Sequence, residues 1–120
     1  MADFTNVRCV LAVQNLSASV DYYTTVLGMA IDFTPPGWAF LSLGAFRVML
    51  GECADTIPAH ETADHSYFVY VTVDGIDAYY GEVVGKGATL TQPLADKPWG
   101  MREFGIRTPD GHRIMFGQEL

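Results

Sequence analysis

With 120 residues the chain makes one domain or two very small halves that share a core. Hydrophobic residues make up 49% and charged residues 18%, a balance that supports a packed core and excludes a disordered chain. The net charge of -7 excludes a nucleic-acid binder, which needs a basic face for phosphate, and leaves room for a cationic ligand.

No apolar run reaches the roughly 18 residues of a membrane span, and Met1-Ala2-Asp3-Phe4 lacks the basic start and apolar core of a signal peptide. Two cysteines make no disulfide framework, and Cys9 reads as a buried thiol in an apolar strand pattern. The expectation is a cytoplasmic protein.

Val7 to Val13 reads as a strand, with Cys9, Leu11 and Val13 on one side and Arg8, Val10 and Ala12 on the other. Ser17 is placed to cap a helix whose stripe is Val20, Tyr23, Val26 and Leu27, ending at Gly28. Strands follow near Ile31 to Phe33, Ala39 to Leu43 and Phe46 to Leu50, separated by Pro35-Pro36-Gly37 and Gly44-Ala45. Residues 52–65 are polar and without period, which marks a linker between module one (1–58) and module two (66–120) of a single domain over 1–120. Val69, Val71 and Val73 then alternate with Phe68, Tyr70 and Thr72. Asp74 is placed to cap a helix with the stripe Ile76, Tyr79, Tyr80, Val83 and Val84, and Gly85 and Gly87 end it. Strands near Ala88 to Thr91, Arg102 to Arg107 and Arg113 to Gly117 complete the pattern, the last two joined at Pro109-Asp110-Gly111.

The chain repeats itself. Tyr22-Tyr23-Thr24-Thr25-Val26-Leu27-Gly28 matches Tyr79-Tyr80-Gly81-Glu82-Val83-Val84-Gly85, and Arg47-Val48-Met49-Leu50-Gly51 matches Arg113-Ile114-Met115-Phe116-Gly117. Each half therefore reads strand, helix, three strands: an α+β fold of two βαβββ modules. A half of about 60 residues buries little surface alone. Two such sheets joined edge to edge, with helices outside, curl into a cup, and a partly apolar concavity is a default small-molecule site. Alternation lines it with Arg8, Val10, Arg47, Met49, Phe68, Tyr70, Thr72, Arg113 and Met115. Phe104 and Ile106 face the helix, while Glu103 and Arg107 face the cup. Arginines there must pair, meet an anionic ligand or reach for the rim, because an unpaired buried charge is costly, and Glu103 is the internal partner at hand.

Val13-Gln14-Asn15-Leu16-Ser17-Ala18-Ser19-Val20-Asp21-Tyr22-Tyr23, running on to Val26-Leu27-Gly28, resembles the opening of the vicinal-oxygen-chelate superfamily of glyoxalases, bleomycin-resistance proteins and extradiol dioxygenases. Pro98-Trp99-Gly100-Met101-Arg102-Glu103-Phe104 and Thr108-Pro109-Asp110-Gly111-His112 resemble the last hairpin of bleomycin-resistance proteins in particular. Asn15 stands where the family usually has Asp. Enzymes of the superfamily hold a divalent metal at four strand positions, and the resemblance carries those onto Arg8, Met49, Phe68 and Met115. Arginine stays protonated, methionine is soft and phenylalanine has no donor, so no metal and no cofactor is expected. His60 and His65 in the linker and His112 in a turn read as surface residues.

The resemblance implies a small-molecule binding protein that sequesters an aromatic or polycyclic compound such as an antibiotic. The alternatives are a metal-dependent glyoxalase-like lyase or extradiol-type dioxygenase, and a metal-free enzyme with Glu103 as general base. The expected ligand-binding residues are Trp99, Trp38, Phe33, Phe68, Tyr70, Met49, Met115, Arg8 and Glu103. Trp99 is implied to stack on the ligand at the groove of a homodimer, with Trp38 as a second wall. Neither nucleic acid nor membrane is expected as a partner.

Overall fold

Alternating apolar residues dominate the strands, and the apolar faces are what the helices cover. The computed structural model describes residue 3 and residues 5–61 and 67–120. In module one the strands β1 (Cys9–Val13), β2 (Ala30–Phe33), β3 (Trp38–Leu43) and β4 (Phe46–Glu52) form a sheet in the order β1-β4-β3-β2. In module two β5 (Tyr67–Thr72), β6 (Thr89–Asp96), β7 (Met101–Arg107) and β8 (Arg113–Glu119) repeat it as β5-β8-β7-β6. The first strand of each module runs parallel to its last, β1 on β4 and β5 on β8, and the remaining pairs are antiparallel. The architecture is α+β, two βαβββ modules that form a curled, cup-shaped arrangement.

One face of each sheet is apolar. Leu11, Val13, Leu41, Val48 and Leu50 from the first sheet and Phe104, Ile106, Ile114 and Phe116 from the second are buried in one cluster. Helix α1 (Leu16–Asp21) adds Tyr23 and Leu27 through the turn that follows it, and α2 (Ile76–Gly85) adds Ile76 and Val83. The end of the first helical segment widens into a π-helical turn over Tyr22–Val26. There Leu27 N–H reaches back to Tyr22 C=O at 3.3 Å, and the Thr24 hydroxyl donates to Val20 C=O at 2.8 Å.

Several local expectations change. Asn15, not Ser17, caps α1, its side chain accepting from Ala18 N–H at 3.0 Å. Asp74 does not cap α2; the Gln118 side chain from β8 accepts from Gly75 and Ile76 N–H at 3.0 and 2.8 Å. A side chain distant in sequence thus satisfies the helix end, which no local motif announces. Val84 points outward, Cys9 is only half-buried, and β1 starts at Cys9, after Arg8. Among the described residues no ladder joins the two sheets. Their edges face each other instead across a hollow of about 360 Å³ between Val7, Cys9 and Arg47 on one side and Tyr70 and Thr72 on the other.

The modules are tied through the turn before β8. Asp110 is buried, and it accepts from Gln14 N–H at 2.8 Å and from the buried Ser19 hydroxyl at 2.9 Å. Its own carbonyl accepts from Ala59 N–H at 2.8 Å. Tyr79 from α2 donates to Leu27 C=O at 2.8 Å, and Tyr22 donates to Arg107 C=O at 3.2 Å. Each module's helical segment is therefore bonded to the other module.

Candidate functional site

The face of each sheet turned away from the core carries most of the candidate residues; Phe68, expected there, packs instead against the core cluster at an irregularity in β5, between Tyr67 and Val69. In module two, β7 presents Glu103 there directly opposite Gly117 of β8, while β5 presents Tyr70 opposite Met115. A methyl group on Gly117 would collide with the Tyr70 hydroxyl, so glycine at this position is what lets the ring lie across the sheet. The hydroxyl then donates to Glu103 Oε2 at 2.7 Å. Trp99, held in the turn before β7 by Lys97 N–H to Met101 C=O and Gly100 N–H to Lys97 C=O, donates its Nε1 to the same oxygen at 3.1 Å. Glu103 is 5% exposed, whereas Tyr70 and Trp99 are 45% and 64% exposed. The Tyr70 hydroxyl is pushed up to about 12, by loss of solvent first and then by the carboxylate that takes its hydrogen bond.

Module one is built differently. Gly51, the repeat partner of Gly117, also lies under an aromatic ring, here Trp38 of β3, which a methyl at Gly51 would approach to 2.8 Å. Arg8 spans the start of the sheet: it donates to Leu41 and Val48 C=O at 3.2 Å each and to Asp32 at 3.1 Å, and its guanidinium lies 5.2 Å from the Phe40 ring centre. The Ser42 hydroxyl, then Arg8, holds the Asp32 carboxyl below its usual range. Phe33, 61% exposed, meets Phe40 edge-on at 5.8 Å.

The structure thus sorts the expected residues into groups. Tyr70, Trp99 and Glu103 are joined by hydrogen bonds, and Arg8 and Phe33 meet through Asp32 and Phe40. The expectation that Glu103 neutralises the cup arginines is corrected for Arg8: its partner is Asp32, on β2 of its own module. Arg113 lies with its guanidinium 5.3 Å from the Tyr67 ring centre. Phe68 packs edge-on against His112 at 5.7 Å. His112 is therefore half-buried and not a surface residue, and burial lowers its pKa. His60 is half-buried too, set against Gly111, and His65 lies outside the described residues. Met115 sits under Gly105, and Met49 pairs with Val10 and Phe40 on the first sheet. Asp32, Phe40 and the two glycines escaped the sequence reading. The glycines carried a signal, since both close the repeated Arg-hydrophobic-Met-hydrophobic-Gly stretch.

The profile of the Glyoxalase/Bleomycin resistance protein/Dioxygenase superfamily matches residues 6–116. The chain belongs to this superfamily. Among solved structures, TioX from Micromonospora sp. ML1 is 26% identical at a TM-score of 0.81, over 98% of this chain and 100% of that one. The bleomycin-binding protein from bleomycin-producing Streptomyces verticillus, complexed with copper(II)-bleomycin, is 25% identical at a TM-score of 0.74, over 97% of each chain. TnmS3, an antibiotic binding protein from Streptomyces sp. CB03234, is 20% identical at a TM-score of 0.79, over 100% and 99%, and shares the fold. No curated protein matches the chain.

The superfamily raises the question of a metal in the cup, and the donor set answers it. Arg8 is a cation already engaged by Asp32, Leu41 and Val48, and Phe68 packs on an imidazole. Met49 and Met115 offer only soft thioethers. These four side chains do not fit a divalent ion. Among the described residues no group of three or more His, Cys, Asp or Glu gathers elsewhere, and no helix is long and apolar enough to cross a membrane.

Proposed function

We propose that this superfamily member binds and sequesters a small aromatic or polycyclic compound, such as an antibiotic, in the cytoplasm, as a metal-free homodimer. The observation that carries the reading is the pairing of two features. The positions that would ligate a metal hold Arg8, Met49, Phe68 and Met115, while Trp99, Phe33, Tyr70 and Trp38 leave large aromatic surfaces exposed. Flat rings of this kind bind a flat ligand by stacking and by excluding water, with no chemistry required. The 25%-identical protein from Streptomyces verticillus, solved with copper(II)-bleomycin, supports the same reading. A second copy would cover the open faces and bring the Trp99 turn to a subunit boundary.

Thermal-shift measurements with bleomycin and a panel of polycyclic aromatic antibiotics test this. A ligand at a hundred times its Kd adds about 2.7 kcal/mol to stability, a shift of many degrees. A panel with no shift, or stoichiometric nickel, zinc, manganese or iron in protein purified without chelator, overturns the reading. Light scattering at micromolar concentration reports the dimer, and a monomer there removes the two-chain groove.

A further inference from the structure

We propose that the crevice between the β3–β4 hairpin and the end of β5 is a second binding site, one that takes a compact ring system carrying a primary ammonium. It lies on the core side of both sheets, apart from the faces that carry Trp38 and Tyr70, and so goes beyond the binding function proposed above.

The crevice exists because the core-facing rows of the two modules part at their ends. In module one that row is Ala39, Leu41 and Leu43 on β3, with Leu50, Val48 and Phe46 opposite them on β4. Leu41 and Val48 are fully buried, whereas at the hairpin end Leu43 is 42% exposed and Phe46 half-buried. The turn Gly44-Ala45, with Gly44 at φ +59°, ends the sheet there. In module two the corresponding row runs out through Val71 and Val73, both half-buried. Between the two rows lies a cavity of about 310 Å³, at the small end of ligand pockets. Tyr79 and Phe116 line it from α2 and β8, their ring centres 5.3 Å apart and set edge to face. The Tyr79 hydroxyl is held by Leu27 C=O at 2.8 Å, so this wall is fixed before any ligand arrives. Apolar surface left against water in a concave place is what a small apolar molecule covers.

The mouth of the cavity chooses the charge of the ligand. Among the described residues that line it, Asp74 carries the only charge. Its carboxylate is exposed, and among the described residues it accepts no hydrogen bond and forms no ion pair. Helix α2 begins beside it, and a helix start attracts anions, but the Gly75 and Ile76 N–H groups are already taken by Gln118. An ammonium at the mouth therefore gains a counter-charge, and an anion meets only repulsion. The pair still touches water, so it adds a few-fold in affinity, and the rings supply the rest.

A matched set of indoles tests the proposal: tryptamine as cation, indole-3-ethanol as neutral frame and indole-3-propionate as anion. Each is titrated near neutral pH into the nitrogen-15-labelled full chain and followed by amide correlation spectra. Saturable shifts are expected at the amides of Gly44, Ala45, Val73 and Asp74, and the Trp99 indole N–H reports the outer face separately. The expected affinity order is cation, neutral, anion, with a step of about threefold from neutral to cation. Asp74→Asn should erase that step and leave indole-3-ethanol unchanged. Leu43→Ser, at an exposed position, should weaken all three by about threefold through lost apolar contact. No saturable shift at these amides with millimolar ligand, a preference for the anion, or a step retained in Asp74→Asn overturns the proposal. Shifts confined to the Trp99 indole overturn it too, and leave the outer-face binding function standing. Hairpin amides that respond to protein dilution and not to tryptamine would show a second copy in the crevice, which also overturns it.

Discussion

Replacing Asp110 by alanine removes a side chain that bonds module two to the start of the first helix. Two donors lose their acceptor: Gln14 N–H, at 2.8 Å, and the Ser19 hydroxyl, at 2.9 Å and 1% exposed as a residue. Orphaning a buried donor costs about 1–3 kcal/mol, which applies to Ser19, while the N–H of the exposed Gln14 can turn to water and adds less, for about 2.5 kcal/mol together. Unfolding entropy near 60 °C is about 2.1 cal/mol/K per residue, or roughly 0.25 kcal/mol/K for a chain of 120 residues, which turns that loss into a drop of about 10 °C in Tm. Ser19→Ala removes one donor only and should cost about 1–2 kcal/mol. Urea unfolding of wild type, both single variants and the double variant forms a thermodynamic cycle, with a coupling of at least about 1 kcal/mol expected for residues in direct contact. An Asp110→Ala loss below about 1 kcal/mol, or additivity within about 0.3 kcal/mol, would refute the claim that this carboxylate holds the modules together.

Gly117→Ala places a methyl group where the Tyr70 hydroxyl lies, so the ring must leave and its bond to Glu103 is lost. A loss of about 2 kcal/mol is expected by denaturation, larger than for Tyr70→Phe, and it should nearly vanish in a Tyr70→Ala background; persistence there would refute the steric account. His112 has its folded pKa lowered by burial against Phe68, so the unfolded chain takes up its proton first as pH falls. The stability it contributes is complete above the unfolded value near 6.5 and is lost as pH drops through that value toward the folded one. His112→Phe should flatten the stability profile between pH 7.5 and 5 relative to wild type, and an unchanged slope would count against the burial argument.

Much of this was readable in the chain because it depends on short-range patterns. Alternation places Leu11, Val13, Phe104 and Ile106 in the core and Val10, Tyr70 and Glu103 on the other face, because successive strand side chains point to opposite sides. The internal repeat announces two βαβββ modules, and the motifs around Asn15 and Trp99 announce the superfamily. What escaped was decided by contacts between residues distant in sequence. Gln118 caps a helix that begins 42 positions earlier, and Asp32 claims Arg8 from 24 positions away. The choice of oxygen at Glu103 is equally non-local, since it depends on a ring from β5 and an indole from a turn arriving at the same atom. Periodicity assigns a side chain to a face, whereas the partner it meets there is selected by how the strands and turns pack, and only the folded chain brings those partners within hydrogen-bond reach.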